Sequence, residues 1–391
     1  LGTRFTIFVK TRGKEMNTRV VTIAAALMAA AAWAYAAPAP SGAGGTAAAR
    51  PRIEVAFVLD STGSMGGLIE GAKSKIWSIA NSIIAGKPTP DVKIGLLTYR
   101  DRGDEYVTKR FDLTADIDTV FANLQSFQAG GGGDGEESVN QALRETVGLM
   151  SWSKDSRVVK IVFLVGDYPP HMDYANDVKY QVTCKEAATR GIVINTVQCG
   201  SVEETTPVWR EIARLAEGSY VALSQNGNMQ AVSTPYDEEI ASLGAELSST
   251  LVAYGERARQ EEVKEKAEKA ASAPAAVAAD RATYNLASGG KAVQGSGDLV
   301  DDLINGAAEL NKIPVDQLPP DMQSMTPAER KAYVESQSAA REALNKKLAV
   351  LVEKRNAFLQ EETVRLAASG SGDSFDLKVA EIIAAEAARQ R

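Results

Sequence analysis

Short, nearly continuous runs of apolar and β-branched residues recur between residues 53 and 223, separated by stretches with a different rhythm. Residues 53–59 are mostly apolar and end at Asp60. Residues 92–99 and 158–165 form two more such runs, 192–197 a fourth and 220–223 a short fifth. Runs of this kind predict strands buried on both faces, as in a parallel sheet. Between them the spacing becomes helical: Leu68, Ile69, Ala72, Ile76, Ile79, Ala80 and Ile83 mark one apolar face. Further helices are predicted at 116–125, 136–150, 175–190 and 204–217. Strands alternating with helices mean βαβ units and a sheet covered on both faces. Residues 106–113, reached through the polar loop 101–105, are expected as an antiparallel edge strand. The predicted fold is therefore α/β, a doubly wound and mostly parallel sheet with one antiparallel edge strand, over residues 52–256.

The pattern changes after that. Residues 257–280 combine a charged run with an Ala/Pro-rich stretch and read together as a helix tail and a linker. Residues 281–391 show no convincing strand and are expected as an α-helical C-terminal region. Thr326, Pro327 and Glu329 are placed as N-cap, first helical residue and capping partner. Leu344, Leu348, Leu351, Val352 and Leu359 then continue one apolar stripe. This is read as a helical module or coiled-coil-like arm, suited to self-association, with no chemistry of its own.

The N-terminus adds a destination. Met16 is followed by Arg19, an apolar run over 20–36 and Ala34-Tyr35-Ala36, the layout of a cleaved signal peptide at 16–36. A membrane anchor is the alternative, but the run is shorter than the roughly 20 residues a span prefers, and Pro38 and Pro40 stop it. Residues 1–15 are read as a start-site artefact and 37–51 as a linker. The mature chain is thus expected to have no transmembrane helix and to be exported, periplasmic or secreted. A net charge of −7 argues against nucleic acid as partner, since phosphate binding needs a basic face. Cys184 and Cys199, an even number in an exported chain, permit one disulfide; two buried thiols are the alternative.

In a doubly wound sheet, ligands bind outside the carboxyl ends of the strands. Asp60-Ser61-Thr62-Gly63-Ser64-Met65 follows the first strand, and Gly166-Asp167 follows the run 158–165. The loop 130–137, four glycines followed by Asp134, Gly135, Glu136 and Glu137, should reach the same edge. Carboxylates and hydroxyls without Cys or His make a hard-oxygen set suited to Mg²⁺, Mn²⁺ or Ca²⁺. The alternating Asp60, Thr62 and Ser64 let a tight turn aim three oxygens at one point.

These three segments together resemble the metal-ion-dependent adhesion site of von Willebrand factor type A (VWA) domains. The bacterial members and those attached to alpha-kinases are the most similar, although no kinase domain is recognisable. The resemblance covers residues 51–225 with a closing helix near 236–256. It implies Asp60, Thr62, Ser64 and Asp167 as metal ligands. It also implies an open coordination position completed by an acidic residue of a partner protein, and a closing helix whose shift couples occupancy to shape. Asp134 stands where the family often supplies a Thr, either as a further ligand or as a helix cap. A third carboxylate would make the ion a poorer acceptor for a partner's carboxylate.

Asp101 and His171 are weighed as rim residues, with an exposed loop position as the default for His171. Arg102-Gly103-Asp104 and Trp209 are read as a chance tripeptide and a packing residue. Three functions are carried forward. The first is an exported, metal-dependent protein-binding module for adhesion or assembly, with no catalytic residues. The second is a structural envelope component whose metal only stabilises the fold. The third is a phosphotransferase of the haloacid-dehalogenase type, against which Thr62 stands where a second Asp is needed. A Ser-His-Asp arrangement fails with one His in the chain.

Overall fold

The computed structural model describes residues 50–86, 88–133, 135–229, 232–368 and 374–389. The predicted signal peptide and Asp134 lie outside the described residues. Six strands and five helices build the first part: β1 (Arg52–Asp60), α1 (Gly66–Ile84), β2 (Asp91–Tyr99), β3 (Thr108–Thr114), α2 (Ile117–Gln125), α3 (Val139–Leu149), β4 (Val158–Gly166), α4 (Tyr180–Thr189), β5 (Ile192–Cys199), α5 (Thr205–Leu215) and β6 (Tyr220–Leu223). The sheet order is β3-β2-β1-β4-β5-β6. Every neighbouring pair is parallel except β2 with β3, so the expected edge strand is present.

Strand alternation divides the core in two. Val55, Phe57 and Leu59 of β1 and Ile161, Phe163 and Val165 of β4 point to one side, where α1 and α2 cover them. Ala56, Val58, Val162 and Leu164 point to the other, under α3, α4 and α5. From β1 the chain first builds outward through β2 and β3, then returns to place β4 on the opposite flank. The crevice between the carboxyl ends of β1 and β4 is the switch point at which such sheets bind ligands.

The second part is helical: α6 (Asp237–Ser249), α7 (Arg257–Ala271), α8 (Ala275–Ala287), α9 (Leu299–Ile304), α10 (Pro320–Gln323), the 42-residue α11 (Pro327–Ala368) and α12 (Phe375–Arg389). Two expectations need correction here. Residues 257–280 hold more than a helix tail running into a linker: they are α7 and the start of α8, and charges here and at Arg281 have partners on the sheet domain. The Lys266 ammonium pairs with Asp116, and the Arg281 guanidinium grips Asp118 at 2.7 and 3.0 Å with both side chains buried. The helix after β6 does not close the sheet: Ile240, Leu243 and Leu247 of α6 pack with Leu344, Leu348 and Val352 of α11 instead. The sheet face beside α1 is closed from the far end of the chain, by Phe375, Val379, Ile382 and Ile383 of α12. Phe375 meets Phe57 with ring centroids 6.2 Å apart, and its N–H donates to the Gly227 carbonyl at 3.0 Å.

Cys184 and Cys199 form no disulfide. Both are buried free thiols, and they belong to the cores on opposite sides of the sheet. Ending near the same sheet edge does not bring them together when the sheet lies between them. Burial pushes the Cys184 thiol up to about 12, with Glu211 adding to the effect. Trp209 of α5 is fully buried in the core between that helix and the sheet, as a packing residue should be. Among the described residues no helix is long and apolar enough to cross a membrane.

Candidate metal centre

β1 delivers Asp60 to the carboxyl edge with no solvent exposure. Its Oδ1 accepts from the Thr62 N–H at 2.8 Å and the Thr62 hydroxyl at 2.7 Å. Thr62 Oγ1 lies 3.4 Å from Ser64 Oγ, which is exposed. The alternating triplet therefore forms one line of oxygens running from the buried carboxylate to the surface. Asp167, the residue after β4, is 2% exposed; its Oδ2 accepts from Gln225 Nε2 at 2.7 Å.

The glycine loop closes the crevice from the third side. Gly63 N–H donates to the Gly131 carbonyl at 3.2 Å, and Gly130 N–H to the Ser61 carbonyl at 3.0 Å. Gly131 has a φ of 75°, and a Cβ there would sit 2.3 Å from Asp104 Oδ1, so this position requires glycine. Asp104 Oδ2 in turn accepts from the Gly132 N–H at 3.0 Å. That internal bond uses the carboxylate of the Arg102-Gly103-Asp104 tripeptide. Arg102 is engaged as well, stacked over Tyr174 at 3.9 Å and paired with Asp177.

The loop then buries Glu137, which is 2% exposed. Its N–H donates to the Pro169 carbonyl at 3.0 Å, and its carbonyl accepts from the His171 N–H at 3.0 Å, stitching it beside Asp167. Burial first, then the charge of Asp167, push the Asp60 carboxyl up to about 7. Burial, followed by Asp60, Asp101, Asp167 and Asp104, pushes Glu137 up to about 9. Tyr99 is fully buried and raised well above its ordinary value by burial and by the same Asp60, Glu137 and Asp167. Carboxylates gathered out of water without a counter-charge cost free energy unless a cation joins them.

Asp60 Oδ2, Asp167 Oδ1 and Glu137 Oε2 are buried and have no hydrogen-bond partner. Three orphaned carboxylate oxygens beside the Thr62 and Ser64 hydroxyls fit a hard divalent cation. Sequence reasoning singled out Asp60, Thr62, Ser64 and Asp167 as candidates but passed over Glu137 and Gln225. Gln225 follows β6 at the sheet's carboxyl edge, the same rule that selects Asp60. Nothing in the linear order singles out Glu137 from Asp134 and Glu136. His171 is not on an exposed loop: it is 5% exposed, as Asp101 is 6%.

Residues 54–234 match the family model of the von Willebrand factor A domain. This segment is a VWA domain. Such domains generally mediate protein–protein interaction. Among solved structures, the SpRpn10 VWA domain is 14% identical, with 44% of this chain and 88% of that chain covered and a TM-score of 0.34. An aerotolerance-related membrane protein from Bacteroides fragilis is 16% identical over 46% and 96% of the two chains, with a TM-score of 0.32. Proximal thread matrix protein 1 from the mussel byssus is 14% identical over 45% and 42%, with a TM-score of 0.33. No curated protein matches the chain.

Proposed function

We propose that this VWA domain binds a protein partner through a divalent-metal centre of Asp60, Thr62, Ser64, Glu137 and Asp167, in an exported protein. The observation that carries the reading is the set of three buried, partnerless carboxylate oxygens at the crevice mouth. Mg²⁺, Mn²⁺ or Ca²⁺ would supply the missing positive charge and draw the three loops together. Export rests on the 16–36 segment and its Ala34-Tyr35-Ala36 end.

Glu137 bears on what completes the ion's coordination. Three carboxylates around one divalent ion leave a net charge of −1, so an acidic partner residue faces repulsion rather than attraction. A neutral oxygen donor, such as an amide, hydroxyl or main-chain carbonyl, fits better. The same charge balance favours the second reading, in which the ion mainly holds the three loops. Asp60→Asn separates the two, because it keeps the oxygen that accepts from Thr62. Affinity capture with the wild type in Mg²⁺, in EDTA, and with Asp60→Asn is the test. A partner held only by wild type in Mg²⁺, while Asp60→Asn stays folded, supports metal-dependent binding. Equal capture in all three leaves the ion a structural role.

A further inference from the structure

Beside the hard-oxygen centre lies a group of different chemistry. The His171 Nδ1 atom is 2.9 Å from Asp173 Oδ1 and 3.4 Å from Glu136 Oε2. One ligand atom from each of the three residues lies within 4.8 Å of the others. We propose that Glu136, His171 and Asp173 form a second metal site on the rim of the VWA face, for a borderline transition ion such as Zn²⁺.

The spacing fits the ion. Nitrogen and oxygen ligands held tetrahedrally at roughly 2.0–2.1 Å from zinc lie about 3.3 Å from one another, and the two measured contacts bracket that value. The imidazole sets the ion class, since a nitrogen donor suits zinc rather than the Mg²⁺ or Ca²⁺ of the neighbouring oxygen cage.

The far edge of the ring faces a buried carboxylate. His171 Nε2 is 3.3 Å from Asp101 Oδ2. Asp101 is itself held, accepting from the Ser138 hydroxyl at 2.9 Å and the Tyr174 hydroxyl at 2.8 Å. Nδ1 donates to Asp173 Oδ1 at 2.9 Å; an ion bound at Nδ1 would take the place of that proton and leave Nε2 protonated toward Asp101. A buried carboxylate that orients a histidine in this way is the usual outer support of a metal-bound imidazole. Stacking on Tyr174, with centroids 4.1 Å apart and planes 11° from parallel, restrains the ring further. The backbone is also pinned, with Asn140 Nδ2 donating to the His171 carbonyl at 2.7 Å.

Access is asymmetric in the useful direction. The His171 side chain is 7% exposed, while Glu136 and Asp173 are 53% and 68% exposed. An ion entering from solvent meets two exposed carboxylates first and a buried imidazole last. Three protein ligands leave a fourth position for water or for a group on the partner. Glu136 adjoins Glu137, so this ion and the one in the hard-oxygen centre would share a stretch of backbone. The competing assignment is a protonated His171 that ion-pairs with the three carboxylates and binds no metal.

The test is a zinc titration of the metal-stripped full chain against a chromogenic chelator, with excess Mg²⁺ present to keep the hard-oxygen centre filled. Wild type and Asp60→Asn should hold zinc equally well. Asp173→Asn, at an exposed position that does not endanger folding, and His171→Gln should both lose affinity, by more than the roughly 10–100-fold that an outer-support change costs. Co²⁺ in place of zinc should give the visible absorption of a tetrahedral site in wild type and lose it in Asp173→Asn. Zinc affinity unchanged in Asp173→Asn and His171→Gln overturns the proposal in favour of the ion-paired histidine. Zinc binding lost in Asp60→Asn alone overturns it too, because zinc would then be occupying only the first centre.

Discussion

Replacing Asp60 with Asn should stabilise the metal-free protein, although it alters a fully buried polar residue. The amide keeps an oxygen to accept the two hydrogen bonds from Thr62 and removes the charge that burial and Asp167 oppose. A carboxyl raised from 3.8 to about 7 costs the fold roughly 4 kcal/mol once ionised. That is an upper figure, because water entering the crevice screens the charge. The sign follows from linkage. The folded pKa lies above the unfolded one, so the folded state binds this proton more tightly. The penalty is absent below about pH 4 and grows as pH rises through 7, and Glu137 extends the decline toward about 9. Urea denaturation in EDTA should therefore show wild type losing stability between pH 5 and pH 8, and Asp60→Asn losing less and exceeding wild type at pH 8. Mg²⁺ at about a hundred times its dissociation constant should restore roughly 2.7 kcal/mol to wild type and nothing to the variant. A wild type indifferent to pH and Mg²⁺, with Asp60→Asn less stable in EDTA, would refute the reasoning. It would mean that these carboxyls are neutral structural groups.

Four further outcomes follow from the packing. Gly131→Ala forces a side chain into a positive-φ position against Asp104, so melting should show a loss of about 1–3 kcal/mol and calorimetry a weaker Mg²⁺ site. Arg281→Ala strands the buried Asp118 carboxylate and should cost about 3–5 kcal/mol in thermal denaturation. Phe375→Ala removes the anchor of α12 from the sheet face and should cost about 3–5 kcal/mol, with increased binding of a hydrophobic dye. Cys184 and Cys199 should stay unreactive toward a thiol reagent in the native state and both react in urea without reductant, since they are unpaired and buried.

The sheet and most of the candidate metal centre were legible because they follow local rules. Asp60 and Asp167 stand directly after apolar runs, and a doubly wound sheet brings the ends of such runs together. Glu137 was not legible, because its burial depends on how far the positive-φ turns at Gly131 and Gly132 carry the loop before it meets Pro169. Three acidic residues within four positions look alike until that path is known. The charged stretch after residue 256 read as a helix tail running into a linker because its meaning lies in Asp116 and Asp118, far away in sequence. The closure by α12 did leave a signal. Phe375, Val379, Ile382 and Ile383 are spaced as one helical face, but nothing local says that this face, rather than that of α6, covers α1. Cys184 and Cys199 failed as a pair for a similar reason: the position of each along the sheet axis was legible, but its side of the sheet was not.

The most direct test of the metal centre is calorimetric titration of Mg²⁺ into the metal-stripped full chain, beside Asp60→Asn and Glu137→Gln. A single saturable site in wild type, absent in Asp60→Asn and weakened in Glu137→Gln, is the predicted result. A folded wild type that takes up no Mg²⁺, Mn²⁺ or Ca²⁺ would contradict it.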